Sequence, residues 1–278
     1  MKNIKSCHWL LKNLDRVVVL DCGMLKPGAT GKYQPAGIIA GAKRFNISQT
    51  FSDPDGRFPS TMCSAEQFQH EARLLGINQR DTVIVYDNFG LFSAARAWWM
   101  FKAMGFEQVY VLDGGLVKWL ELGLPVAPDY AQSPQSGEFV AQPQAGYFID
   151  KQAVLAAIDD PSVLLLDARS PARFSGQESE PREGMRSGHI PGSANVHYAS
   201  VLDDSGLLKS RTQLRALLSD AGVTHQALQF SCGSGITACI LAMIADECGF
   251  HPLSVYDASW SEWGQDSEVP VATLAPES

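Results

Sequence analysis

Cys232 stands at the most chemically pointed place in this 278-residue chain, within Phe230-Ser231-Cys232-Gly233-Ser234-Gly235-Ile236-Thr237. Leu228–Ser231 reads as a short buried strand, and Thr237–Cys248 reads as a helix. Between them, two glycines flank a serine and let the backbone curl. Successive N–H groups in such a curl form an anion cradle, and the helix N-terminus adds positive potential. A thiol at the mouth of that cradle is favoured as thiolate, the form that attacks. The same N–H groups suit a persulfide anion on that sulfur. Nucleophilic sulfur chemistry is therefore the expectation for Cys232. Cys239 and Cys248 fall inside the following helix, and with Cys7, Cys22 and Cys63 they read as small buried hydrophobes. No two of the six cysteines form a C-x-x-C pair, so neither a zinc ribbon nor a thioredoxin-type motif is indicated.

The elements that position the loop occur twice. Val17–Asp21 corresponds to Val163–Asp167, and Ser64-Ala65-Glu66-Gln67 to Ser210-Arg211-Thr212-Gln213, both at an offset of 146. Each Ser-x-x-Gln predicts a capping box opening a helix, and each helix runs into a glycine, Gly76 or Gly222. Val83–Tyr86 corresponds to Leu228–Ser231 at 145, and Asp113 and Trp119 to Asp257 and Trp263 at 144. Two homologous domains follow, residues 1–126 and 147–278, joined by a Pro-, Gln- and Ser-rich linker over 127–146. Further strand and helix candidates in the second half are Leu253–Tyr256, Lys151–Ile158 and Thr212–Ala221. Strands alternating with helices imply an α/β fold, each half a parallel sheet flanked by helices on both faces. Ligands in such folds sit beyond the carboxyl ends of the strands. Cys232 aligns with Asp87 of the first half, whose loop Asp87-Asn88-Phe89-Gly90-Leu91-Phe92 has no thiol. Only the second half then carries a nucleophile.

A net charge of −8 argues against a general nucleic-acid binder, which needs a basic face. No window approaches the roughly 18–20 apolar residues of a membrane span. Residues 1–16 do not read as a signal peptide. A cytoplasmic location, with free thiols, is the expectation.

The tandem halves resemble the two-domain rhodanese-like sulfurtransferases, in which the C-terminal domain carries the active cysteine. The resemblance spans roughly residues 17–271. It rests on Leu166-Asp167-Ala168-Arg169, Ser187–Asn195 with its His189-Ile190-Pro191-Gly192, the Cys232 loop, Ala97-Trp98-Trp99-Met100-Phe101 and Leu112–Leu116. Within that family, Cys-Gly-Ser-Gly-Ile-Thr is similar to the loop of members that use 3-mercaptopyruvate. Members preferring thiosulfate place basic residues where Gly233 and Ser234 stand. The resemblance also implies that Arg173 and Arg182 hold the substrate carboxylate, a task that suits a planar guanidinium. Gly233, Gly235 and Ile236 complete the expected substrate contacts, with Ser234 and Thr237 hydroxyls stabilising developing charge beside Cys232. His189 and Asp167 are expected to be structural. Relatives carry a His-Ile-Pro-Gly-type stretch in the first half as well, and here Ile38 takes the place of that histidine.

The implied reaction moves sulfur from the donor to Cys232, releases pyruvate, and passes the outer sulfur to a thiol such as thioredoxin or glutathione, or to cyanide. No metal or organic cofactor is expected. Other readings are thiosulfate sulfur transfer and a non-catalytic rhodanese-like binding module. Gly233-x-Gly235-x-x-Ala238 also fits a dinucleotide fingerprint, but only 21 residues follow Asp257, too few to finish such a sheet. A cysteine phosphatase needs an arginine where Ala238 stands.

Overall fold

A computed structural model describes residues 1–274; the last four residues of the second expected domain lie outside the described residues. The first half supplies β1 (Ile4–Lys5), α1 (Cys7–Leu11), β2 (Val18–Asp21), β3 (Ile38–Ile39), β4 (Lys43–Arg44), α2 (Ala65–Leu74), β5 (Val83–Tyr86), α3 (Ala94–Ala103), β6 (Val109–Leu112), α4 (Gly115–Glu121) and β7 (Val126–Ala127). The second half supplies β8 (Phe148–Ile149), α5 (Lys151–Ala157), β9 (Val163–Asp167), α6 (Pro171–Ser175), β10 (Ala194–Asn195), α7 (Arg211–Asp220), β11 (Ala227–Ser231), α8 (Ala238–Glu247), β12 (Leu253–Tyr256) and α9 (Trp260–Trp263).

Each half builds a five-stranded, wholly parallel sheet. The orders are β1-β6-β5-β2-β4 and β8-β12-β11-β9-β10, the same path through equivalent strands. The apolar runs Val83–Tyr86 and Leu228–Phe230 become the central strands β5 and β11, as strands covered on both faces should. Among the described residues no helix is long and apolar enough to cross a membrane.

The helices after the central strands, α3 and α8, pack against each other across the domain boundary. Both are apolar nearly all round, and such helices are stable only when enclosed. Trp98 and Trp99 of α3 and Ile240 and Leu241 of α8 belong to one continuous buried cluster. Each such side chain contributes about 1.5–3 kcal/mol on burial, so the two halves share a core. The contact is pseudo-twofold. Asp113 Oδ1 accepts the Leu208 N–H at 2.9 Å, and its counterpart Asp257 accepts the Met62 N–H at 2.8 Å through Oδ2.

Two expectations change on folding. Ser210 and Gln213 form the full capping box, but Ser64 has only half of one: its Oγ accepts the Gln67 N–H at 3.2 Å. The Gln67 amide instead donates to the Thr50 and Ser52 carbonyls at 2.9 Å, because a nearby loop offers it two acceptors. The 127–146 segment is not a free tether. Phe139 is fully buried against Phe68 and Phe106, and the Gly137, Phe139 and Gln142 N–H groups donate to Arg73, Ile77 and Met104 carbonyls. Arg173 lies on the one-turn helix α6, opened by a Ser170 cap and Pro171.

Candidate active site

Strand β11 ends at Ser231 and delivers Cys232, which is 2% exposed, to the carboxyl edge of the second sheet. The turn after β12 fixes the next peptides. The Cys232 N–H donates to Ser259 Oγ at 3.1 Å, and the Cys232 carbonyl accepts the Trp260 N–H at 3.0 Å. The Gly233 carbonyl accepts both the N–H and the hydroxyl of Ser261, at 2.9 and 2.7 Å. Ser259 itself sits at φ 52°, ψ −141°, a strained conformation for a residue with a side chain. Backbone strain held by several hydrogen bonds commonly marks a site that must be rigid.

The two glycines of the loop differ in how tightly their surroundings confine them. Gly235 adopts φ +71°, and a Cβ there would lie 2.2 Å from the Asp257 carbonyl oxygen. Gly235→Ala is therefore expected to cost at least about 1–2 kcal/mol for the left-handed backbone alone, with further loss as the loop shifts. Thermal unfolding and sulfur-transfer rate measured together check this, and an alanine variant matching the parent in both would refute it. A Cβ on Gly233 would meet Arg173 Nη2 at 3.2 Å, so the guanidinium lies close over this peptide.

The loop's counterpart in the first half shows what such a curl binds. Asp87 Oδ2 accepts the N–H groups of Phe92, Ser93 and Ala94 at 2.7, 2.8 and 2.9 Å, and Oδ1 accepts that of Phe89 at 2.9 Å. The first domain thus carries its own anion in its own cradle. The second domain places Cys232 at that point, and its helix begins one residue sooner, six rather than seven positions on.

A cavity of about 350 Å³ opens over the Cys232 loop between the domains. Cys232, Gly233, Ser234, Ile236 and Thr237 form its floor, and Arg173 and Arg182 line its side. The first domain contributes Met24 to Pro27 and Phe92. Ile38 is not among the lining residues; it pairs in β3 with β7 and belongs to the first domain's own core. Of the residues expected at the site, only Gly235 does not line the cavity. It faces Asp257 and accepts Arg96 Nη1 at 3.3 Å through its carbonyl. Thr237 is the N-terminal flanking residue of α8 but forms no side-chain cap.

The two arginines are held differently. Arg173 forms a two-point ion pair with the buried Glu180 carboxylate. Arg182 has a neutral partner, donating to Ser261 Oγ at 3.0 Å. Burial pulls the Arg182 guanidinium below its ordinary range and Arg173 adds to this, while Cys232 and Glu180 oppose it. Arg182 is thus a partly desolvated cation within electrostatic reach of Cys232. His189 is buried, stacks on Phe174 at 3.9 Å and bonds the Phe174 carbonyl through Nδ1 at 2.8 Å, which anchors the end of α6. Asp167 takes Arg169 in a buried pair at 2.6 Å.

Sequence reading missed four residues. Glu180 joins Arg169 and Arg173, and Arg169 also lies 4.0 Å over the Trp260 ring. Arg96 is fully buried and crosses from α3 to the Cys232 loop. A lone arginine inside the apolar stretch Ala94–Phe101 was a legible signal for a buried pair. His197 lines the cavity without any local signal.

Known proteins agree with this architecture. The rhodanese-like domain model matches residues 6–122 and 150–266. The 3-mercaptopyruvate sulfurtransferase of Escherichia coli strain K12 is 35% identical over 273 residues, 96% of each chain. The human 3-mercaptopyruvate sulfurtransferase is 38% identical over 228 residues, covering 81% of this chain and 76% of the human one. The thiosulfate sulfurtransferase of Cricetulus griseus is 36% identical over 252 residues, 88% of this chain and 84% of the hamster one. The crystal structure of SseA from Escherichia coli, a 3-mercaptopyruvate sulfotransferase, superposes with a TM-score of 0.83 at 32% identity, covering 94% of this chain and all of that one. Two matched domains, two sheets of one topology and relatives aligned along nearly the whole length place this chain in the rhodanese-like family.

Proposed function

We propose that this protein is a 3-mercaptopyruvate sulfurtransferase that carries sulfur on Cys232. The observation that carries the reading is the shared cavity: a cysteine at a strand end, a curled loop beneath it, and two guanidinium groups beside it. The Cys232 thiolate attacks the donor sulfur, the C–S bond breaks, and pyruvate leaves as its enolate. The donor carboxylate lies against Arg182 and Arg173. Backbone N–H groups from Ser234 to Ala238, with the Ser234 and Thr237 hydroxyls, stabilise the charge that moves onto the outer sulfur. Asp87 supports this role, since the equivalent groups of the first domain hold a carboxylate. A thiol acceptor, thioredoxin or glutathione, or cyanide then removes the outer sulfur. Six unpaired cysteines suit a reducing, cytoplasmic setting.

A hydrogen bond to a charged group contributes roughly 1.5–3 kcal/mol. Loss of one arginine should therefore lower kcat/KM for mercaptopyruvate by about 10- to 150-fold. Arg182→Ala should be the more damaging, because Glu180 already offsets much of the Arg173 charge. Lysine should rescue only in part, lacking the planar fork. Steady-state kinetics with mercaptopyruvate and thiosulfate, using one acceptor, make the test. Near-parental mercaptopyruvate kinetics in both alanine variants would remove the carboxylate clamp. A parent enzyme faster with thiosulfate would favour the other donor, the substrate named for the hamster relative.

A further inference from the structure

Sulfur transfer out of mercaptopyruvate moves a proton as well as a sulfur. The donor enters as a thiol. When Cys232 S⁻ bonds to that sulfur, the C–S electron pair leaves on the pyruvate enolate and the S–H proton stays on the outer sulfur. To finish, the enolate carbon must gain one proton, and the persulfide must lose one to reach the anion its cradle favours. The two demands cancel, so one group that accepts and then returns a proton balances the reaction without any co-reactant.

Resting on the reading of Cys232 and mercaptopyruvate above, we propose that His197 is that proton carrier. It lines the cavity that holds Cys232, at the start of the turn following β10, and is half-buried there. Its ring meets Tyr198 edge-on at 4.9 Å, and Tyr198 in turn meets Phe92 of the first domain at 5.7 Å. Packing at the domain boundary therefore sets the imidazole in place.

The other titratable groups on the cavity wall are unsuited to the task. Lys26 comes from the first domain, and Arg169, Arg173 and Arg182 from the second. Ammonium and guanidinium groups are donors with no acceptor. Glu178 brings a carboxylate, a type of group that when ionised only accepts. Burial, with the Asp87 charge adding to it, pushes the Tyr198 phenol up and away from neutrality. Imidazole alone among these types exchanges a proton both ways near neutral pH. Burial also lowers the His197 pKa, so the ring enters each cycle neutral and ready to accept.

The test uses His197→Ala and His197→Asn in the full chain, with pyruvate release from mercaptopyruvate as the primary readout. General acid–base catalysis supplies about 10²–10⁴-fold, so kcat should fall about 100-fold or more. Thiosulfate transfers its outer sulfur and leaves as sulfite with no proton moved, so the mercaptopyruvate-to-thiosulfate rate ratio should fall by the same factor. Free imidazole should restore mercaptopyruvate turnover in His197→Ala. In the parent, turnover should drop as acid protonates His197, and that limb should be lost in the variants. Equal slowing with both donors and no imidazole rescue would reduce His197 to a packing residue and overturn the proposal. So would mercaptopyruvate turnover within about threefold of the parent. A parent enzyme that releases no pyruvate would instead overturn the donor assignment, and this proposal with it.

Discussion

Cys232→Ser is expected to abolish sulfur transfer while leaving the fold intact. Serine matches cysteine in shape, and its backbone N–H can still donate to Ser259 Oγ while its carbonyl accepts the Trp260 N–H, which is where the Cys232 loop is anchored. Its hydroxyl cannot carry a sulfane sulfur. No other thiol can take over. Burial pushes Cys63 and Cys239 up to about 12 and Cys7 to about 11, and raises Cys22 and Cys248 as well. These groups stay as thiols at neutral pH, and the thiolate is the nucleophile. Cys239 is the instructive neighbour: it lies seven residues on, inside α8, with its Sγ turned back to the Gly235 carbonyl at 3.2 Å. Of the six cysteines, Cys232 alone lines the cavity. Incubating the parent with mercaptopyruvate and no acceptor should add about 32 Da, one sulfur, as a persulfide. Peptide mapping should place it on Cys232, and Cys232→Ser should gain nothing. A persulfide mapped to Cys239, or turnover persisting in the serine variant, would sink the assignment.

Arg96→Met should destabilise the protein by up to about 3–5 kcal/mol, the cost of removing one partner from a buried ion pair, with Asp257 keeping some contact with solvent. Arg96 is fully buried on α3, and its Nη2 reaches Asp257 Oδ1 at 2.6 Å and the Ser60 carbonyl at 2.8 Å. Its guanidinium lies 4.4 Å over the Phe148 ring. Desolvation is the largest influence and opposes the charge, but Asp257 and Cys239 together outweigh it, so the pKa is raised. Without Arg96, Asp257 keeps only the Met62 N–H at 2.8 Å, and the Gly235 carbonyl loses its partner from the first domain. Against a typical stability of about 5–15 kcal/mol, this is a large fraction. Arg96→Lys should recover part, since an ammonium restores the charge but cannot span three acceptors. Adding Asp257→Asn to Arg96→Met should also recover part, because the stranded charge is gone. Urea denaturation of the four proteins measures each step. A loss below about 1 kcal/mol in Arg96→Met would show that the domains are held by apolar packing alone.

Much of this molecule was legible before folding. The repeat at an offset of 146 needed only residue identities, and it carried the two-sheet architecture because homologous runs fold alike. Val163–Asp167 and Leu253–Tyr256 match their strands residue for residue, since short apolar runs bounded by turn residues leave few other solutions. The Cys232 loop was readable because its chemistry is local: strand, thiol, glycines and helix start lie within about ten consecutive residues.

The tertiary structure decided what depends on groups distant in sequence. Arg96 and Asp257 are 161 residues apart, and no periodicity links them. Composition marked 127–146 as a linker, yet burial of Phe139 and a row of carbonyls on the first domain bind it in place. Glu180 appeared only as one residue of a polar stretch, until chain folding put Arg169 and Arg173 on its two oxygens. His197 is the sharpest case. A histidine after a short strand carries no signal of its own, and its chemistry comes from the cavity wall that the two domains close around it. Local residue types determine which side chains can react; long-range packing determines which of them meet, and in what charge state.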